Sequence, residues 1–399
     1  MKNLIKFLLT ITALIFILSS CEKDETDPDP IICEIHITDD ITENTIWEAS
    51  CTYYVDRDID ITNDAILTIE PGTVIKFAQG MELTVSDAGS STGNIIAVGT
   101  KDQMILFTSQ AQAPSKGDWD GIWLYSGCNA SKFDYCKIEY AGDYKWSSGS
   151  GAITSNYANN TTIDNCLFEN NDDYGVRIYQ NRTALSSFTN NVFIDNTTGD
   201  LKLKAYNVSS IGEGNAFSKD IIVAGDDVDA PGDVLWRKQN VAYLIINNEV
   251  TVGCGTGTKL IIEAGASIKL SQVHGIEIAY ASSRVGMIEA IGTATDPIIF
   301  TSSSTNPSKG DWNTIVFYDG CSAGSVFDYC NFSYGGARNI PTAFITFKFQ
   351  QGSTTTIKNC SFSYSEGYGI MLDQPNTDTS YPTLMNNTFS DNTLGDKNW

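Results

Sequence analysis

The chain is written twice. Pro114-Ser115-Lys116-Gly117-Asp118-Trp119 recurs unchanged as Pro307-Ser308-Lys309-Gly310-Asp311-Trp312. Leu67-Thr68-Ile69-Glu70-Pro71-Gly72 returns at the same offset as Leu260-Ile261-Ile262-Glu263-Ala264-Gly265. Phe133-Asp134-Tyr135-Cys136 returns as Phe327-Asp328-Tyr329-Cys330, Asn165-Cys166 with Phe168 as Asn359-Cys360 with Phe362, and Asn190-Asn191 with Phe193 as Asn386-Asn387 with Phe389. Order and spacing hold throughout, so residues 42–230 and 231–399 read as two tandem, related units. No proline-rich linker separates them. That is the signature of a continuous stacked array, in which each repeat buries its apolar face against the next.

Within each unit, short runs rich in β-branched and aromatic residues alternate with Gly, Asn, Asp and Ser. Examples are Ile66 to Ile69, Val74 to Phe77, Ile122 to Tyr125 and Val176 to Tyr179. After the first 20 residues no stretch carries a helical period of 3.6, so the fold class is all-β. A sandwich, a barrel and a β-solenoid all use strands of this length. Two features favour the solenoid. Asn-Gly and Asp-Gly hairpin turns are scarce. Asn residues also sit at the turns between very short strands, where stacked copies can satisfy turn backbone groups. A two-sheet sandwich is the alternative.

The run Thr162 to Ile178 (TIDNCLFENNDDYGVRI) resembles a coil of a right-handed parallel β-helix, the pectate-lyase-like superfamily. Leu67 to Phe77 (LTIEPGTVIKF) and Gly117 to Leu124 (GDWDGIWL) resemble coils of β-helix lipoproteins of Bacteroidota. The resemblance covers residues 42–399. It implies a single-stranded solenoid built from the two units, with coils stepped about 4.8 Å apart; ~15 coils would make a rod on the order of 70 Å long. Lyases of that superfamily hold calcium with clustered carboxylates and use Arg or Lys as base. Its hydrolases carry Asn-Thr-Asp, Asp-Asp, Gly-His-Gly and Arg-Ile-Lys in that order. Here Asn376-Thr377-Asp378 comes last, Val273-His274-Gly275 lacks the first Gly, and Arg177-Ile178-Tyr179 precedes both. Order and identity fail together, so the hydrolase pattern is absent.

The N-terminus reads as an address. Lys2 and Lys6 precede an uncharged apolar stretch, Leu8 to Leu18, too short for a bilayer span, which needs roughly 20 residues. Leu18-Ser19-Ser20-Cys21 resembles a lipobox. On that reading residues 1–20 are a signal peptide and Cys21 is acylated, and residues 21–41 form an acidic tether and N-terminal cap region. An ordinary secretory signal is the alternative. The run Glu22 to Pro30, acids and prolines without an apolar side chain, cannot pack into a core. It resembles the surface-export signal of Bacteroidota lipoproteins; a plain spacer is the alternative. The expected location is the outer membrane, lipid-anchored and surface-exposed, with a periplasm-facing arrangement as alternative. The membrane is then a partner through the anchor only. With 25 Lys and Arg against 48 Asp and Glu, the formal charge of −23 argues against nucleic acid as a partner.

The duplication also serves as an internal comparison. Residues kept in both units are most simply scaffold. Gly72/Gly265 and Gly117/Gly310 read as turns with unusual φ. Trp119/Trp312, Tyr135/Tyr329 and Phe168/Phe362 read as interior or corner aromatics, and the repeated Lys-Gly-Asp-Trp as a corner whose Asp satisfies backbone N–H groups. A sugar clamp by that Trp and Asp is the competing reading. Chemistry present once is the candidate site. Tyr144 and Trp146 lie in a Gly/Ser-rich loop and face Arg338 and Ile340 of the second unit; exposed aromatics there would stack on sugar rings. Asp172 and Asp173 with Arg177 face Ser365 and Glu366 (or Gly367, depending on the local gap) and Met371, a weak version of the carboxylate-plus-base pattern, since calcium takes six to eight oxygens. A solvated turn followed by a surface charge is the plainer alternative. His36 and His274 have no counterparts, and two histidines cannot build a three-His zinc site. Cys128, Cys136 and Cys166 match Cys321, Cys330 and Cys360 and read as buried free thiols in a stacked column, with bridges between coils as the alternative. Cys33 and Cys51 are placed to clip the cap. No CxxC pair supports a metal or redox site. The sequence thus points first to non-catalytic binding of glycan or another surface partner without a cofactor. A polysaccharide lyase or hydrolase, with calcium if lyase-like, and a purely structural adhesin-like protein are the alternatives.

Overall fold

The computed structural model describes residues 33–86, 91–142, 149–179, 184–281, 283–318, 324–337, 342–348, 355–375 and 381–399. These contain 39 short strands and one 3-10 turn, Ala205–Ser210. Strand pairs are parallel and link each strand to one about a coil away, as Cys33 with Cys51, Lys137 with Leu167 and Asn331 with Ser361. Antiparallel contacts are confined to the isolated bridges Thr100–Gln103 and Cys254–Val285. The architecture is a right-handed parallel β-helix with three faces, as the duplication and the missing hairpin turns required. One sheet of thirteen strands runs through both units. At about 4.8 Å per step those thirteen strands span about 58 Å. Sheets of seven and six strands close the first half, and another seven and six close the second.

Period-2 alternation sets the core. In the long sheet Leu83, Ile122, Ile153, Val176 and Leu201 are in register and all fully buried. Phe300, Phe332, Phe362 and Phe389 form a stacked column with centroids 4.8–5.1 Å apart. Phe168, Phe193 and Phe217 repeat it in the first unit at 5.0 and 5.1 Å. Where polar side chains enter, they cap turns. Asn191 Oδ1 accepts from Cys166 N at 3.0 Å while its Nδ2 donates to Ile163 O at 2.8 Å. Asn215 repeats this on Asn191, and Asn387 does so on Cys360. The residue before each rung, Asn165, Asn190, Asn359 or Asn386, holds φ between 53° and 56°, where Asn is tolerated and most side chains are not.

The repeated Lys-Gly-Asp-Trp is a corner. Asp118 Oδ2 accepts from Ser109 Oγ at 2.7 Å and Ser115 N at 3.0 Å; Asp311 does the same with Ser302 and Ser308 at 2.6 and 2.9 Å. Trp119 and Trp312 are fully buried and donate Nε1 to Glu139 O and Ser333 O. Gly117 and Gly310 both have φ of 79°, Gly72 and Gly265 86° and 77°. With the acid and the Trp both consumed internally, the motif is no sugar clamp. Tyr135 and Tyr329 are half-buried corner residues with φ near 50°, not interior ones.

Cys33 and Cys51, register partners with Cα atoms 4.5 Å apart, form a disulfide at the N-terminal end. Cys128, Cys136, Cys166, Cys330 and Cys360 are buried free thiols. Cys21 and the tether, and Cys321, lie outside the described residues.

At the junction the units do not stack in phase. Gly121–Leu124, which follows the first Lys-Gly-Asp-Trp, belongs to the long sheet; its counterpart Ile315–Phe317 belongs to a seven-stranded one. Conversely Val74–Phe77 lies in a seven-stranded sheet and its counterpart Ser267–Leu270 in the long sheet. The shift arises where Gly199–Lys204 pairs directly with Ile221–Ala224. The chain between them makes the 3-10 turn and a single bridge, Val192–Ala216, in place of two strands.

Candidate functional site

The slip places unlike surfaces side by side on the long sheet. Its outward column runs Thr84, Trp123, Thr154, Arg177, Lys202, Ile222 in register. Two residues further along the strands come Tyr125, Tyr179 and Lys204. Residues about 25 apart in sequence thereby become lateral neighbours about 4.8 Å apart.

Arg177 stands on this face with only 7% of its surface exposed. Its guanidinium lies 4.0 Å over the Tyr179 ring and 5.8 Å from that of Tyr174. The Lys202 ammonium lies 5.3 Å over Tyr174. Such stacking holds a cation where burial would otherwise disfavour it. Lys204 pairs with Asp226 at 3.3 Å, whereas among the described residues Lys202 has no carboxylate partner. Burial, and then the charge of Arg177, lower the Lys202 pKa below the usual lysine range; Asp173 opposes this. Arg177, Tyr179, Lys202, Lys204, Asn247 and Asn248 line a cavity of about 150 Å³. It is too small for a whole oligosaccharide and fits one charged substituent, with the remainder of a ligand lying along the sheet.

Asp172 and Asp173 do not act together. Asp172 packs beside Gly117, whose added Cβ would stand 3.2 Å from the Asp172 Cβ. Asp173 turns the other way, is buried, and accepts from Ser150 N. Gly149 sits between Asp173 and Arg177: a Cβ there would stand 2.8 Å from Asp173 Oδ2 and still closer to Arg177 Nη1, and its φ is +83°. Among the described residues no group of three or more His, Cys, Asp and Glu side chains converges on one point. Tyr144 and Trp146 lie outside the described residues.

The register also settles the local gap between units. The backbone N–H groups of Asn171 and Ser365 each donate to the side-chain oxygen of the next coil's Asn, Asn196 and Asn392. Asp172 therefore corresponds to Glu366, Asp173 to Gly367, Arg177 to Met371, Trp123 to Val316 and Lys202 to Asn398. The second unit thus carries Met371 and Asn398 where the first carries Arg177 and Lys202. Trp123, Tyr174, Tyr179, Lys202 and Lys204 escaped the sequence reading. The comparison that singled out Arg177 held the signal, because Lys202 against Asn398 is equally unit-specific.

A family model described as a pectate-lyase-like β-helix domain matches residues 39–133 and again 232–340, together a little over half of the chain. The chain belongs to that family. The two matches fall one in each unit, as the internal duplication requires. No curated protein and no solved structure gives a significant match. Membership fixes the scaffold and leaves the choice between binding and catalysis to the residues of the face.

Proposed function

We propose that this chain is a glycan-binding β-helix whose first unit takes a sugar chain carrying negative charge across the long sheet. The observation that carries the reading is the Arg177–Lys202 pair beside a cavity sized for one anionic group. On a protein of formal charge −23, Lys202 has no carboxylate partner among the described residues, and Asp173 offsets the positive charge of the Arg177–Lys202 pair only in part. A carboxylated or sulfated sugar supplies the remaining negative charge, and Asn247 and Asn248 offer amides to its hydroxyls. The acidic remainder of the surface repels anions elsewhere, which confines them to this spot. Acylation at Cys21, with the body held outside the outer membrane on its acidic tether, completes the proposal.

Residues 33–399 on an array of neutral and anionic glycans test the reading. Retention of uronate- or sulfate-bearing glycans, weakening with salt, supports it; retention of neutral glycans alone, or of none, rejects it. One observation favours a catalytic second reading: the lowered pKa of Lys202 suits a general base. Incubating the same anionic glycans with the protein and following ultraviolet absorbance for an unsaturated product separates a lyase from a binder.

A further inference from the structure

The missing strand at the unit junction leaves a second, larger recess on another face. The six-stranded sheet of the first unit ends at Leu185–Thr189, and the 3-10 turn Ala205–Ser210 packs where its next strand would lie. Between them opens a notch of about 460 Å³, lined by Ser186, Ser187, Thr189, Ser210, Glu213 and Arg237 among others. It is a shallow recess broadly open to solvent, with room for one small polar unit on its floor.

Three hydroxyl protons of this notch are committed inward. Ser187 Oγ and Thr189 Oγ1 both donate to Asp164 Oδ1 at 2.8 Å, and Thr189 N donates to the same oxygen. Ser186 Oγ donates to Asn160 O at 3.0 Å. The hydroxyls of Ser186, Ser187 and Thr189 therefore present lone pairs, not protons, to the recess. Asp164 stands behind two of them, and the exposed carboxylate of Glu213 stands at the rim. Arg237 supplies one donor fork, and among the described residues it has no ion-pair partner, Glu213 included. Among the lining side chains one carboxylate, Glu213, stands against one guanidinium, Arg237, and the hydroxyl lone pairs tip the surface toward accepting.

We propose that this notch binds a single donor-rich sugar unit, preferentially one bearing a free ammonium group, with its hydroxyl and N–H protons on Ser186, Ser187, Thr189 and Glu213 and one of its oxygens on Arg237. Its preference is opposite to that of the cationic face, so the two sites are distinguishable by ligand charge. The proposal does not rest on the reading of that face.

Titration of residues 33–399 carrying Lys202→Met, so that the cationic face offers glucuronate no competing site, with glucosamine, glucose and glucuronate, followed by ligand-observed NMR, tests it. Glucosamine binds at least tenfold more tightly than glucuronate, with glucose between them. Ser210→Trp fills the recess and abolishes glucosamine binding. Glu213→Gln, at an exposed position that folding does not need, brings glucosamine down to the level of glucose. Lys202→Met, on the other face, leaves glucosamine binding unchanged. Equal or tighter binding of glucuronate, binding that survives Ser210→Trp in a variant of unaltered circular dichroism, or no saturable binding of any of the three overturns the assignment.

Discussion

Replacing Asn196 with alanine should destabilise its coil by about 4 kcal/mol, and replacing Asn392, its counterpart in the second unit, by about 1–2 kcal/mol. The two side chains share a pair of backbone bonds, and Asn196 adds two side-chain ones, accepting from Asn171 Nδ2 at 2.9 Å and donating to Asp200 Oδ1 at 3.4 Å. Asn196 Oδ1 accepts from Asn171 N at 3.3 Å and Nδ2 donates to Phe168 O at 3.1 Å; Asn392 bonds Ser365 N at 3.0 Å and Phe362 O at 3.1 Å. Burial differs as well: Asn196 is fully buried, whereas Asn392 is half-buried in the last coil. Alanine at 196 orphans a buried N–H and a buried C=O, each costing about 1–3 kcal/mol. At 392 water replaces the lost partners, and only the net worth of two bonds is forfeited. A solenoid opens locally, so global unfolding is the wrong readout. Hydrogen exchange in peptides covering 165–204 and 360–399 is the assay. At tenfold per 1.4 kcal/mol, Asn196→Ala accelerates exchange about a thousandfold and Asn392→Ala about tenfold. Equal acceleration at both positions would refute the argument that burial, together with the added side-chain bonds, sets the value of each rung.

Three further outcomes follow from the same geometry. Removing the Cys33–Cys51 bridge, which closes a loop with a sequence separation of 18, costs the N-terminal end about 3 kcal/mol and exposes it to proteolysis before any other part. Among the described free thiols of the native protein Cys254 reacts with a maleimide first: hydrogen bonds to Thr256 and Thr258 lower its pKa, while burial raises those of Cys128, Cys136 and Cys330; modification of the buried thiols at the rate of Cys254 would contradict the packing. Because the folded state lowers the Lys202 pKa, the unfolded chain holds that proton more tightly. Stability from this group therefore rises with pH through the window between the lowered value and the ordinary lysine one. Anion binding moves the opposite way: it needs the ammonium, so affinity falls with pH starting below the ordinary lysine range, and binding there takes up a proton measurable by calorimetry in buffers of different ionisation enthalpy.

The duplicated motifs and the Asn-rich turns made the solenoid legible, because a coil must solve the same turn and core problem each time round. The slip between units was not legible. It depends on whether Ala205–Ser210 forms a strand or a tight turn, and six residues of unremarkable composition do not declare that. Arg177 was found because one unit carries it and the other has Met371. Lys202, Lys204 and Trp123 were missed because lateral neighbours in a β-helix are separated by a full coil, and coil lengths vary. Asp172 and Asp173 misled in the reverse sense: adjacent in sequence, they point to opposite sides of the chain.

The most direct measurement is calorimetric titration of residues 33–399 with the anionic glycan that the array retains best, run beside Lys202→Met. The account predicts saturable binding that weakens with salt and falls at least tenfold in the variant, with circular dichroism unchanged. Equal affinity in wild type and variant would contradict it.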